Sequence, residues 1–352
     1  MHKTILAALA IATTTAPHAH ASPFATRVVS YTPGPGATAG FTNPAAALGP
    51  PLGGSTSSPD NSKLVSLGSL GGSITLAFDE PIPNLSPSPA NPLALDLIVF
   101  GNAFYVANNP NRRFAEPGII EVSRDTNANG LADDHWFVIP GSHLTLPTST
   151  PLTLPQNIFT QNNFPILNNP LGQDATNEGA LGYADCTPTI ALGDLNADGI
   201  IDAPLLNPDR FYTSPDDPTR VGISPFTGGG DAVDISAARN PTTGDPANLT
   251  TIDFVRITTA LTGGTPALGP ISTDLAAVAR VIVRPRADIA GPGQSPGPDG
   301  QRTADDIILF LNWFFSTSPL ADIASPGQTP GPDGNFTADD IIVYLNWFFA
   351  PE

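Results

Sequence analysis

The chain has 352 residues, with 32 acidic side chains against 14 basic ones and a net charge of −18. That balance argues against nucleic acid and anionic membrane surfaces as partners and favours cation binding. Forty prolines and 33 glycines imply many turns and few long helices, and the single cysteine excludes an intrachain disulfide.

Residues 1–21 read as a secretory signal: Lys3, an apolar run from Ile5 to Ala12, and Ala19-His20-Ala21 as a small-x-small cleavage site. Cleavage near Ala21 would leave the protein secreted or held at the cell surface, with Lys63 its only lysine. No later stretch approaches 18 continuous apolar residues, so no transmembrane segment is expected. Outside the cytoplasm and without disulfides, bound metal is the expected substitute staple.

Residues 22–286 are long enough for one large β domain. Short β-rich runs separated by turn clusters occur at Lys63–Leu67, Ser73–Phe78, Leu95–Phe100, Ile119–Ser123, Trp136–Ile139, Ile252–Thr258 and Ala277–Val283. Helical periodicity is confined to Asp231–Arg239. The pattern predicts a mainly β fold, a β-sandwich or jelly roll, carrying a long irregular insertion over Ser142–Gly230. The insertion, rich in Pro, Asn and Thr, packs across one end of the sandwich or runs as an extended excursion. Within it, Cys186 reads as a small buried thiol rather than a nucleophile. Arg284-Pro285-Arg286 reads as a linker to a small α-helical tail.

Two acidic loops share the form D-x-N-x-[DN]-G-x-x-D. One offers Asp125, Asn127, Asn129 and Asp133 around Gly130; the other offers Asp194, Asn196, Asp198 and Asp202 around Gly199. Short oxygen side chains at alternate positions fold around a hard cation such as Ca2+, and the glycine permits the sharp turn. The twelfth place holds Trp136 or Leu205 instead of a carboxylate, so Asp134, Asp209 or water would complete each site. The alternative is an Asx-rich turn between strands.

Val65–Ile82, Leu97–Phe104, Phe114–Ser142 and Gly228–Gly244 together resemble a bacterial cell-surface β-sandwich module of discoidin-like or jelly-roll type. The resemblance spans most of residues 45–260 and implies a surface domain without naming its ligand.

The tail contains a duplication. Residues 287–315 recur as 321–349, offset by 34, and only six of the 29 aligned positions differ. Such a period marks one supersecondary unit used twice, each copy too small to bury its own apolar face. Each begins with an acidic Pro/Gly-rich loop, the first offering Asp288, Asp299, Thr303 and Asp306, the second Asp322, Asp333, Thr337 and Asp340. Read as a calcium loop, each carries seven inserted residues. Read as a helix start, Thr303 and Thr337 are N-caps, with Asp306 and Asp340 three residues on, and the two readings are compatible. In the helix that follows, Ile307, Leu311 and Phe314, joined by Ile308, Phe310 and Phe315, form an apolar stripe. It packs the copies together, with Trp313 and Trp347 in or beside the seam, or leaves a patch for a partner.

A duplicated loop and helix of this kind resembles the dockerin type I family over residues 287–349. The resemblance implies bound calcium and docking to a cohesin-like or cell-envelope partner. The chain departs from that family at Ala290 and Ala324, where an Asn is usual. It departs again at Ala304-Asp305 and Ala338-Asp339, where a hydroxyl pair often serves partner recognition.

Catalytic signals are sparse. Beyond the signal only His135 and His143 remain, in no metal-binding spacing. The best carboxylate pair for glycoside cleavage is Glu116 and Glu121, which strand geometry does not bring together. Aromatic candidates for sugar binding are Tyr105, Trp136, Tyr183, Tyr212 and Phe226. The sequence therefore predicts a secreted or surface-held calcium-binding protein that acts as a binding or assembly module, its tail used for docking. The alternatives are an extracellular polysaccharide-active hydrolase with a docking tail and a purely structural envelope component.

Overall fold

The computed structural model describes residues 21–88, 90–110, 113–141, 182–219, 222–260, 272–330 and 333–350. The predicted signal up to residue 20, His143 and the first half of the predicted insertion lie outside the described residues. Among the described residues, no helix is long and apolar enough to cross a membrane.

The fold is mainly β, built from antiparallel sheets. In chain order its principal strands are β1 (Arg27–Thr32), β2 (Ser73–Pro83), β3 (Leu97–Phe100), β4 (Gly118–Ser123), β5 (Trp136–Val138), β6 (Tyr183–Ala184), β7 (Asp231–Val233), β8 (Thr251–Thr259) and β9 (Ala277–Arg280). Six strands form one sheet, in the order β1-β2-β8-β4-β5 with β6 also on β4; three form another, in the order β7-β3-β9. Register in the larger sheet follows the apolar pattern. Leu76 lies opposite Val255 and Val255 opposite Val122, and the next row is Ile74, Ile257 and Ile120. A one-residue slip would turn both rows away from the core, so the alternation itself specifies the pairing.

The smaller sheet is apolar on both faces. Leu97, Val99, Val233 and Val278 enter the core shared with the larger sheet, an arrangement consistent with a β-sandwich. Their neighbours Ile98, Phe100, Ala232, Ala277 and Ala279 point the other way into a second core. Period-two geometry explains why every residue of LIVF is buried: each face has its own cover. The described end of the predicted insertion supplies the second cover, through Ile190, Leu195, Leu206, Phe211 and Tyr212.

The predicted strands form within a few residues of the expected bounds, but Asp231–Arg239 is no helix. Its first three residues pair with β3, and Asp234 then caps a single 3-10 turn at Ile235–Ala237. Pairing with a buried strand outweighs the weak helical periodicity there.

The helices are α1 (Pro208–Phe211), α2 (Ala304–Phe315) and α3 (Ala338–Phe349). Both long helices start with the expected capping box, Thr303 with Asp306 and Thr337 with Asp340. Much of the expected stripe faces inward: Phe310 is buried with Leu309 in α2, as Val343 and Tyr344 are in α3, and Ile307, Leu311, Phe314 and both tryptophans pack partly buried around them. Phe315 and Phe349, in contrast, are 77% and 73% exposed. Asp306 and Asp340 are fully buried because each accepts two amides from its own loop, and that anchoring sets the rotation of each helix. Trp313 packs against Phe226 of the body, ring centroids 5.7 Å apart, and Leu320 enters the second core. The tail is thus seated on the smaller sheet's outer cover.

Candidate metal loops

The loop after β4 is shaped by its own side chains. Asp125 Oδ1 accepts from Asn129 N (3.1 Å) and Oδ2 from Gly130 N (2.6 Å). Asn127 Oδ1 also accepts from Asn129 N, and Asn129 Oδ1 from Leu131 N (2.8 Å). Ala128 and Gly130 both have positive φ, 56° and 73°, which turns the chain back over the Asp125 carboxylate. Asn129 Nδ2 donates to Asp133, and Asp134 accepts from both the amide and the hydroxyl of Thr126.

The 194–202 loop repeats the arrangement. Asp194 accepts from Asp198 N (3.2 Å) and Gly199 N (2.9 Å), Asn196 from Asp198 N, and Asp198 Oδ1 from Ile200 N. Ala197 and Gly199 carry φ of 61° and 89°, as their counterparts do. Asp202 Oδ2 accepts from Leu195 N, closing the loop. Asp194 is buried, and desolvation raises its pKa against the amides that bond it. Asp209 stands beyond the loop, in the first turn of α1.

The tail loops reach the same arrangement across a longer span. Asp288 accepts from Asp299 N (2.8 Å) and Gly300 N (2.7 Å), and Asp322 from Asp333 N (2.9 Å) and Gly334 N (2.7 Å). Asp299 and Gly300 therefore occupy the places of Asn129 and Gly130. The inserted residues leave the loop as two-residue ladders, Ala290–Gly291 with Ser295–Pro296 and Ala324–Ser325 with Thr329–Pro330. Asp306 and Asp340 close the loops from the helix side: Oδ1 takes the two amides after Asp288 or Asp322, and Oδ2 takes the amide of Thr303 or Thr337. Burial pushes Asp288 up to about 6, opposed by the amides of Asp299 and Gly300, with Asp306 and Asp299 adding to the rise.

In all four loops the donors are carboxylate, amide and hydroxyl oxygens, the ligand chemistry of Ca2+ or Mg2+ and not of thiophilic metals. The carboxylate oxygens of Asp125, Asp194, Asp288 and Asp322 that accept one amide keep a second lone pair, whereas Oδ1 of Asp306 and of Asp340 accepts two. Among the described residues, no three His, Cys, Asp or Glu side chains converge as a metal-holding group. An ion in these loops would therefore need the Asn oxygens, backbone carbonyls or water beside the carboxylates.

Glu116 and Glu121 have separate partners. Glu121 receives Arg256 through two hydrogen bonds of 2.8 and 2.5 Å, and the guanidinium lies 4.1 Å from the centre of the Trp136 ring. Glu116 instead accepts from Ser272 N (3.1 Å). Burial pushes it up to about 8, with Asp274 adding to the rise. Asp185 belongs to the same group, accepting from Asn102 N and Ala103 N, while Asp274 accepts from Ser272 Oγ and Asn102 Nδ2. Burial holds Asp185 well above the usual carboxylate range and Asp274 at about 6. These side chains come from positions 116, 185 and 274, far apart in the sequence and without a spacing signature, so sequence reasoning missed them. Of the aromatic candidates, Tyr105, Tyr183 and Tyr212 are buried packing residues.

No protein-family model matches the chain, and comparison with curated proteins returns no match.

Proposed function

We propose that the protein is an exported, calcium-stabilised β-sandwich with a dockerin-like tail, acting as a binding or assembly module at the cell surface. The observation that carries this reading is the recurrence of one hydrogen-bond pattern in two short loops of the body and two longer, near-identical loops of the tail. A turn needs one or two of those bonds; the fuller pattern curls each chain around its first Asp, the course taken by an oxygen-rich loop that holds a hard cation. Asp125, Asn127, Asn129 and Asp133 would hold one ion, and Asp194, Asn196, Asp198 and Asp202 another. Asp288, Asp299, Thr303 and Asp306, with Asp322, Asp333, Thr337 and Asp340, would serve the tail. Bound calcium supplies positive charge among clustered carboxylates. Each site would add about 2.7 kcal/mol at a free calcium concentration a hundred times its dissociation constant.

Equilibrium dialysis of the full chain against calcium, with magnesium as competitor, tests the metal. Several bound ions support the reading, and none would end it. Retention on insoluble polysaccharides and on envelope fractions, with calcium and with EGTA, tests the binding role. Turnover of a soluble glycan would replace it with the hydrolase reading.

A further inference from the structure

Each of the four acidic loops carries an Asx-Gly step at its turn: Asn129-Gly130, Asp198-Gly199, Asp299-Gly300 and Asp333-Gly334. The first is the only Asn-Gly in the chain. At such a step the backbone nitrogen of the glycine reaches the side-chain carbonyl carbon of the residue before it, with no side chain of its own in the way. Asn reacts there because its amide nitrogen can leave as ammonia. An ionised Asp resists, because its carboxylate would have to expel an oxide. Asn129 is therefore the reactive member of the four.

Asn129 and Gly130 are exposed. Among the described residues, no atom beyond the chain neighbours lies within 4 Å of where a Cβ on Gly130 would sit, so water reaches the step. Both reacting groups are nevertheless tied down. Gly130 N donates to Asp125 Oδ2 at 2.6 Å, and a negative charge at that distance disfavours removal of the amide proton. The Asn129 carboxamide is held at both ends: Oδ1 accepts from Leu131 N at 2.8 Å, and Nδ2 donates to Asp133 Oδ1 and Oδ2 at 3.3 and 3.2 Å.

We propose that Asn129 is a site of spontaneous deamidation, and that the hydrogen bond from Gly130 N to Asp125 sets its rate. The step needs water alone. When the bond opens, Gly130 N yields its proton to solvent and bonds to Asn129 Cγ. The Cγ–Nδ2 bond breaks, its electron pair leaves with the nitrogen, and ammonia departs. The succinimide so formed adds one water. Opening at Cγ leaves an aspartate at position 129, giving the D-x-N-x-D-G order already present at 194–199. Opening at the backbone carbonyl leaves an isoaspartate, which inserts a methylene into the turn. Either product places a further negative charge in the loop. None of this requires a bound ion.

Peptide mapping by mass spectrometry, on the full chain in EGTA at pH 8, follows position 129 over time in the native state and in urea. The native chain should react at least about tenfold more slowly than the unfolded one, the worth of a hydrogen bond to a charged group. Asp125→Ala should raise the native rate by about tenfold and leave the rate in urea unchanged. Asp125→Asn keeps the shape of the side chain and should raise the native rate by a smaller factor. It carries the test if a thermal melt finds Asp125→Ala unfolded at the incubation temperature. A native rate equal to that in urea overturns the proposal. So does a folded Asp125 variant that reacts no faster than the parent chain.

Discussion

Phe310 and Tyr344, related by the 34-residue repeat, stack face to face with ring centroids 4.0 Å apart and planes within 4° of parallel. Tyr344 Oη also donates to Ala287 O, the first residue of the first copy (3.1 Å). The duplication therefore closes on itself through its own equivalent residues, which is how two units too small for a core obtain one. Phe310→Ala should cost about 3–5 kcal/mol and Tyr344→Phe about 1 kcal/mol. Urea unfolding read from tryptophan fluorescence measures both.

Asp306 and Asp340 carry equal duties, each binding three backbone amides. Replacing either with Ala leaves buried amides without acceptors and removes a capping box, a loss of at least about 2 kcal/mol. The two variants should match closely in stability measured in EGTA. A large disparity would mean that the repeats are not structural equivalents.

On the larger sheet, the Glu121–Arg256 pair has side chains 10% and 28% exposed, against 58% and 23% for Glu80–Arg280. Arg256→Ala removes a two-bonded, ring-stacked guanidinium and should cost about 2 kcal/mol, after discounting for partial exposure. Arg280→Ala should cost less than about 1 kcal/mol. Chemical denaturation of the two variants side by side checks the ranking.

The buried carboxylates outside the loops set an unusual pH dependence. Burial lifts Glu116 to about 8, and Asp96 and Asp231 to about 7. With pKa values above those of the unfolded chain, these groups bind more protons when folded. Their contribution is complete below pH of about 4 and is lost as pH rises through about 7 to 8. In EGTA the melting temperature should therefore be higher at pH 6 than at pH 8.5, and Glu116→Gln should flatten part of that slope. A melting temperature that rises with pH over this window contradicts the assignment.

What could be read from the sequence was local or periodic. The tail duplication, the caps at Thr303 and Thr337 and the oxygen spacing at Asp125 and Asp194 depend on residues a few positions apart. Apolar alternation likewise located the strands. Within α2, Ile308 and Phe315 belong to the apolar stripe yet stand exposed while Leu309 outside it is buried, a distinction made only when the helix meets the second copy. Asp231–Arg239 misled because pairing with Leu97–Phe100 is a long-range contact. The Glu116, Asp185 and Asp274 group and the Arg210–Pro298 bond depend on side chains brought together by the whole fold, for which spacing leaves no trace.

If oxygen-rich loops hold divalent ions, those ions stiffen a body without disulfides. A thermal melt of the full chain at neutral pH, in millimolar calcium and then in excess EGTA, reads that stiffening. Because binding to several sites adds, calcium should raise the midpoint by about 10 °C or more. Identical midpoints in the two buffers would mean that no ion braces the folded chain.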